Sequence, residues 1–153
     1  MEKLSESTKI FLKKFEGKKI VFTNGCFDIL HLGHVEYLNE ARRLGDALIV
    51  AINSDESVKK LKGPDRPINN EHDRKEMLLN LRAVDCVEIF ENETPLEIIK
   101  LLSPSILVKG GDWKVEQIVG HEFVLSLGGE VKSLSFKRGY STSNLIKNVQ
   151  GKI

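Results

Sequence analysis

The sequence predicts an α/β fold built on a doubly wound, five-stranded parallel sheet with helices on both faces. Three observations carry this. Short apolar runs rich in β-branched residues recur along the chain and alternate with stretches of helical periodicity. One of them, Ala47 to Ile52, is apolar without a break, as a strand covered on both faces must be. Parallel neighbours need crossover connections, which are nearly always right-handed, and the helical stretches supply them. Strand order 3-2-1-4-5 is the expected arrangement, with a crevice between strands one and four.

Taken in order, Leu4, Ile10, Phe11, Leu12 and Phe15 sit at mostly helical spacing and Gly17 supplies a stop, giving an N-terminal helix within residues 1–17 that packs on the core. Ile20 to Thr23 reads as strand one. A turn from Gly25 to His34 then feeds a helix running to Leu44 and closed by Gly45. After the second strand, Asn53-Ser54-Asp55 leaves its C-terminal end. The basic segment Lys59 to Asn70, broken by Gly63, Pro64 and Pro67, reads as a loop. A helix from about Glu71 to Arg82 turns Met77, Leu78 and Leu81 inward, and Cys86 to Phe90 forms strand three.

Thr94 is the expected N-cap of a helix that has Pro95 in its first turn and ends at Leu102. Strand four, Ile106 to Val108, ends in Lys109-Gly110-Gly111-Asp112-Trp113. Gly128-Gly129 turns into strand five, Val131 to Phe136, and Gly139 to Ser143 opens a last helix from Asn144 to about Val149. No repeat or linker interrupts the pattern, so residues 1–153 read as one domain.

Composition narrows the classes of function. At 153 residues the chain is long enough for a real core, and 41% hydrophobic with 29% charged residues is ordinary for a globular protein. A net charge of +1, without a basic stripe interleaved with aromatics, argues against nucleic acid as partner. Two distant cysteines, Cys26 and Cys86, lack metal-ligand spacing and suit a reducing compartment. With no apolar leader before Ile20 and no run of membrane-spanning length, a cytoplasmic location without membrane contact is expected.

The chemistry concentrates between Gly25 and His34. His31 and His34, three apart, are expected on one face of a helix, and Gly33 between them leaves room for a ligand near the backbone. A helix N-terminus offers unpaired N–H groups and a positive dipole end, both of which favour phosphate. Singly, each residue has a plainer reading: a capping histidine, a cap at Asp28, solvated lysines at 60 and 62. The combination Gly25-x-Phe27-Asp28-x-x-His31-x-Gly33-His34 resembles the signature of the cytidylyltransferase-like nucleotidyltransferase superfamily. The Ser141-Thr142-Ser143 helix start resembles its second motif, and the likeness covers about Lys18 to Val149.

The resemblance implies a Rossmann-like fold and attack by a phosphate oxygen on the α-phosphorus of a nucleoside triphosphate, with pyrophosphate leaving. Thr23-Asn24-Gly25-Cys26-Phe27-Asp28, Leu61-Lys62-Gly63 with Arg66-Pro67-Ile68-Asn69, Val108-Lys109-Gly110-Gly111-Asp112 and Gly139 to Asn144 look most like the adenylyltransferases of ADP-heptose synthesis. These occur alone or as one domain of a bifunctional kinase/adenylyltransferase. The implied reaction joins AMP from ATP to a heptose 1-phosphate, and 153 residues leave no room for a kinase that would make that phosphate. The alternatives are a glycerol-3-phosphate cytidylyltransferase-like enzyme using CTP and a non-catalytic nucleotide-binding module.

Under this resemblance His31 and His34 donate to the α- and β-phosphates, and neighbouring phosphate oxygens push their imidazoles toward the charged form. Lys62, and less directly Lys60, close over the incoming phosphate. Ser141, Thr142 and Ser143 hold the β- and γ-phosphates. Backbone at Lys109, Gly110 and Gly111, with Thr23, Asn24, Gly25, Cys26, Phe27 and Gly33, holds the nucleotide. Arg82 either reaches phosphate or pairs with Asp85, Arg74 is a weaker phosphate candidate, and the arginine that cytidylyltransferases carry at a position matching the neighbourhood of Phe136 is displaced here, so that its phosphate contact is either lost or passed to Arg138. Asp28 positions substrate or metal, Asp55 and Asp112 accept from sugar hydroxyls, and Trp113 walls the sugar pocket unless it is merely a core or surface aromatic. Mg²⁺ is expected to be bound mainly through the triphosphate, since no protein cage for a metal is visible. His72 and His121 fall outside the motifs and are expected at the surface. A homodimer is the assembly the resemblance implies.

Overall fold

The computed structural model describes residues 3–135 and 139–151. Its sheet has five parallel strands in the order β3-β2-β1-β4-β5, as expected. They are β1 (Ile20–Gly25), β2 (Ala47–Asn53), β3 (Cys86–Phe90), β4 (Ile106–Gly110) and β5 (Glu130–Leu134). The helices are α1 (Glu6–Lys14), α2 (Leu32–Arg42), α3 (Asp55–Lys62), α4 (Glu71–Leu79), α5 (Leu96–Leu102), α6 (His121–Ser126) and α7 (Thr142–Gln150), with a 3-10 turn at Val115–Gln117.

Alternation along the strands sorts the core onto two faces. Ile20, Phe22, Ile49, Ala51 and Phe90 point to one side, where Phe11 of α1, Ile98 and Ile99 of α5 and Val124 of α6 cover them. Val21, Leu48, Val50, Ile52 and Val87 point to the other and meet Leu38 and Ala41 of α2 and Leu78 of α4. Every residue of β2 is buried, which accounts for its unbroken apolar sequence.

Register explains where the crevice opens. β1 pairs with β2 from Ile20↔Ala47 through Gly25↔Ile52, but with β4 only at Val21↔Ile106 and Phe22↔Leu107. Beyond Phe22 the two central strands part, and the backbone after each is free to line a cleft.

Several elements differ from expectation. Residues 55–62 form α3, which takes in Lys59 to Lys62 of the segment expected as a loop; Ser54 Oγ caps it by accepting from Ser57 N–H, acidic residues fill its first turn, and Gly63 at φ 103° ends it. α2 begins at Leu32, so His31 precedes the helix. α4 stops at Leu79, leaving Arg82 beyond it and Met77 43% exposed instead of inward. Pro95 itself takes the cap position of α5, in place of Thr94. Between β4 and β5 the 3-10 turn and α6 complete a crossover for which no helix was expected. Gly45 closes no left-handed cap; a Cβ there would lie 2.6 Å from the Lys19 carbonyl, so the glycine permits close chain approach. Phe136 and Arg138 lie outside the described residues.

Candidate active site

The turn between β1 and α2 is held by two histidines that cap each other's backbone. His31, in extended conformation, is the N-cap of α2; its Nδ1 accepts from His34 N–H at 3.3 Å, while His34 Nδ1 accepts from His31 N–H at 3.4 Å. A ring nitrogen that accepts carries no proton, so in the neutral rings the hydrogen sits on Nε2. Each imidazole therefore offers one N–H donor to the cavity it lines. The rings stack at 3.7 Å and 18°, and Phe27 packs 5.1 Å from His34.

Burial, followed by the charge of His31, pulls the His34 imidazole down to about 4, and burial also lowers His31. The protein's own groups thus favour neutral rings, opposite to the push expected from phosphate. Gly33 does not leave open space: a Cβ there would meet the Tyr140 Cβ at 2.9 Å and the His31 ring at 3.0 Å. It lets those two side chains pack over the helix start.

Behind the histidines the backbone bends through Phe27 at φ 48°, a conformation that costs a bulky residue strain. Buried groups hold this bend. Asp28, 2% exposed, accepts from Arg66 Nε at 2.7 Å, from Ile68 N–H at 2.8 Å and from Asn69 N–H at 2.8 Å, while Asn69 Nδ2 donates to the Asp28 carbonyl. Burial works to raise the Asp28 carboxyl; the hydrogen bonds from Asn69, Ile68 and Arg66 outweigh it and hold the carboxyl below its ordinary range. Expected to touch substrate or metal, Asp28 instead has both oxygens engaged by the loop after α3. Arg74, 1% exposed, donates to the carbonyls of Asn69 and Cys26 and to Asp55 Oδ1. Its phosphate candidacy and the sugar-hydroxyl role of Asp55 both meet this ion pair. Cys26 Sγ lies 3.7 Å from Asn53 Oδ1, and burial pushes the thiol up against the lowering influence of Lys62, Arg74 and Arg66.

The opposite wall comes from β4, β5 and α7. Lys109 and Gly110 end β4, and the Lys109 ammonium sits 5.9 Å from the Trp113 ring centre, with burial pulling its pKa down. Trp113 Nε1 donates to the Gly110 carbonyl and its backbone N–H to Ser133 Oγ, whose hydroxyl donates in turn to the Gly111 carbonyl. Ser141 caps α7 by accepting from Asn144 N–H, and Thr142 Oγ1 donates to the Ile29 carbonyl, fastening this helix start to the histidine turn.

These walls enclose a cavity of about 350 Å³, within the usual range for a small-molecule site. Of the residues expected there, Asn24 through Asp28, His31, His34, Lys62, Lys109, Gly110, Trp113 and Ser141 through Ser143 line it. Thr23, Gly33, Gly111, Asp55, Lys60, Arg82 and Asp112 are not among its lining residues. Thr23 is buried and bonded to the Tyr37 hydroxyl, and Lys60 and Asp112 are exposed. Arg82 is also exposed, and the Asp85 carboxylate pairs with Arg42, not with Arg82. His72 is exposed, while His121 is partly buried with Nδ1 2.9 Å from the Ile118 carbonyl. Tyr37, Arg66 and Tyr140 line the cavity without having been singled out as site residues. Arg66 stood beside two prolines in a run already quoted, and its position marked it no more strongly than its neighbours.

Residues 22–148 match the family described as cytidylyltransferase-like. The chain belongs to that family. Among its relatives, the bifunctional protein HldE of Aliarcobacter butzleri (strain RM4018) is 58% identical over 134 residues, covering 88% of this chain and 27% of the relative. HldE of Vibrio cholerae serotype O1 is 55% identical over 135 residues, covering 88% of this chain and 28% of the relative. This cytidylyltransferase-like chain thus spans under a third of the length of those two relatives. Among solved structures, a lipopolysaccharide core biosynthesis protein from Thermoplasma volcanium superposes with a TM-score of 0.64 at 30% identity, over 82% of this chain and all of that one. Pantothenate synthetase from Thermus thermophilus, at 18% identity and a TM-score of 0.61 over 95% of this chain and 67% of its own, shares the fold. Among the described residues, no helix is long and apolar enough to cross a membrane.

Proposed function

We propose that this cytidylyltransferase-like domain transfers AMP from ATP to a heptose 1-phosphate, giving ADP-heptose and pyrophosphate. The observation that carries the reading is the pair of stacked imidazoles whose Nδ1 atoms are consumed by the helix start, leaving two Nε2–H donors in the crevice between β1 and β4. An oxygen of the sugar phosphate attacks the α-phosphorus as the bond to the bridging oxygen of pyrophosphate breaks, and no protein nucleophile takes part. Donors fixed in advance stabilise the charge that gathers on the α-phosphate oxygens.

His31 and His34 are assigned to the α- and β-phosphates. Lys62, at the end of α3 and with its charge facing the same cavity, receives the acceptor phosphate. The N-terminus of α7 with Ser141 to Ser143 holds the β- and γ-phosphates, and the backbone around Gly25 and Gly110 approaches the base. Trp113 supplies an apolar wall for the sugar. Among the described residues no three His, Cys, Asp or Glu side chains cluster as metal ligands, and Asp28 is engaged by Arg66. These residues fit a Mg²⁺ held chiefly by triphosphate oxygens, where it would neutralise phosphate charge. The sugar is assigned from the resemblance of the motifs and from the HldE relatives. Both cysteines are free thiols, which suits the cytoplasmic placement in this reading; the homodimer that completes it is taken from the resemblance of the motifs.

The test measures pyrophosphate release from ATP or CTP with Mg²⁺ across a panel containing heptose 1-phosphate and glycerol 3-phosphate. ATP with heptose 1-phosphate is the expected pair. Turnover with CTP and none with ATP would overturn the assignment, and tight ATP binding without turnover on any acceptor would leave a nucleotide-binding module.

A further inference from the structure

Arg74 is among the largest fully buried side chains, yet it is a permanent cation. A buried guanidinium is costly unless its N–H groups are matched, and here they are matched by three different segments. Nη1 donates to the Cys26 carbonyl at 2.7 Å, in the strained bend behind the histidines. Nη2 pairs with Asp55 Oδ1 at 2.8 Å, in the first turn of α3. Nε donates to the Asn69 carbonyl at 3.0 Å, in the loop that Asp28 holds from the other side. α3 is only eight residues long and its last residue is Lys62. One side chain therefore spans from the histidine turn to the near end of the helix whose far end carries the cavity lysine.

We propose that Arg74 is a positioning residue for the transfer step. By joining the Cys26 carbonyl to Asp55, it sets the distance between the Nε2 donors of His31 and His34 and the ammonium of Lys62. The inference rests on the reading of Lys62 as the group that receives the acceptor phosphate. In-line attack needs the two phosphates held at one separation, and a shift of about 1 Å in such an arrangement costs about 10²-fold in rate. Arg74 touches no substrate; its effect is delivered through Lys62. Lysine is a poor substitute, because a single ammonium cannot reach three acceptors in the planar geometry of a guanidinium.

Steady-state kinetics of Arg74→Lys, Lys62→Met and the double variant, at a temperature well below each melting point, test this. Arg74→Lys is expected to lower kcat about 10²-fold and to raise KM for the sugar phosphate, while KM for ATP stays within about threefold. In the Lys62→Met background the same change is expected to cost less than about threefold more, since the group it positions is gone. A residue that merely supports the fold would lower both backgrounds alike, and multiplicative losses would overturn the inference while leaving the role of Lys62 intact. If Lys62→Met alone left kcat and both KM values unchanged, the assignment of Lys62 itself would fail, and Arg74 would have nothing to position. Should Arg74→Lys fail to fold, Asp55→Ala removes the acceptor that links Arg74 to α3, and the same non-additivity with Lys62→Met is required of it.

Discussion

The two flanks of the cavity are built differently. On the β1–β2 flank, Asp28 and Arg74 are nearly fully buried, and the bonds from Asn69 to Asp28 and from Arg74 to Cys26 join residues 41 and 48 positions apart in sequence. On the β4–α7 flank, Trp113 and Tyr140 are 45% and 39% exposed, and Trp113 is held by bonds to Gly110 and Ser133 that lie at the surface. Buried bonds are lost only with the fold, whereas exposed ones open locally at small cost. The histidine turn assigned to the α-phosphate is thus fixed before substrate arrives, while the exposed Trp113 and Tyr140 keep freedom to adjust. A site divided in this way can exchange one acceptor for another without disturbing the chemistry.

The largest effect that would sharpen this contrast is at His34. Asparagine places an acceptor where Nδ1 stands and nothing where Nε2 stands, so His34→Asn is expected to lower kcat about 10²- to 10³-fold with the helix cap preserved. Near-normal kcat in this variant would end the phosphate assignment. Next is Asp28→Asn, which leaves the Arg66 guanidinium without its counter-charge and is expected to cost about 3 kcal/mol in urea unfolding. A loss below about 0.5 kcal/mol would show that this flank is not rigidly held. Gly33→Ala comes third: its Cβ would press on His31 and Tyr140, and a kcat loss of about tenfold is expected from a displaced imidazole. Trp113→Ala should do least, raising KM for the sugar phosphate a few-fold and shifting stability by less than about 0.5 kcal/mol.

Titration gives a separate test of the β1 side of the cavity. His34, lowered to about 4 by burial and by His31, binds its proton later than the ordinary histidine near 6.5 of an unfolded chain. Between those values the unfolded state holds more protons, so stability rises with pH across that window and falls as pH drops from about 6.5 toward 4. Asp28 has the opposite sign of dependence on charge but the same direction: held below its ordinary range, its contribution is present above about 3.8 and lost as pH falls through the lower folded value. An NMR titration of the His34 ring is expected to show a midpoint near 4 in the free protein and an upward shift with an ATP analogue. A free-protein midpoint near 6.5 would break the argument.

Sheet order and crevice were legible because they follow from alternation of apolar runs and from the handedness of crossovers. The histidine turn was legible because His31, Gly33 and His34 lie within four residues. α3 was not, although Ser54, Asp55, Glu56 and Gly63 are ordinary start and stop signals, because Val58 and Leu61 alone interrupt a polar run containing three lysines and proline follows soon after. The partners of Asp28 and Arg74 were hidden for another reason. Local pattern reports which face a residue takes, while an ion pair between Asp28 and Arg66, or between Arg74 and Asp55, depends on where the chain returns.

The reciprocal bonds between His31 and His34 have an evolutionary corollary. Because the same two rings begin α2 and face the cavity, selection for folding alone would retain an acceptor at each position in a descendant that no longer turned over nucleotide. Finding both histidines in a relative is then weak testimony to activity. Asparagine or aspartate at either place, keeping the helix while discarding the outer nitrogen, would be the more telling fossil.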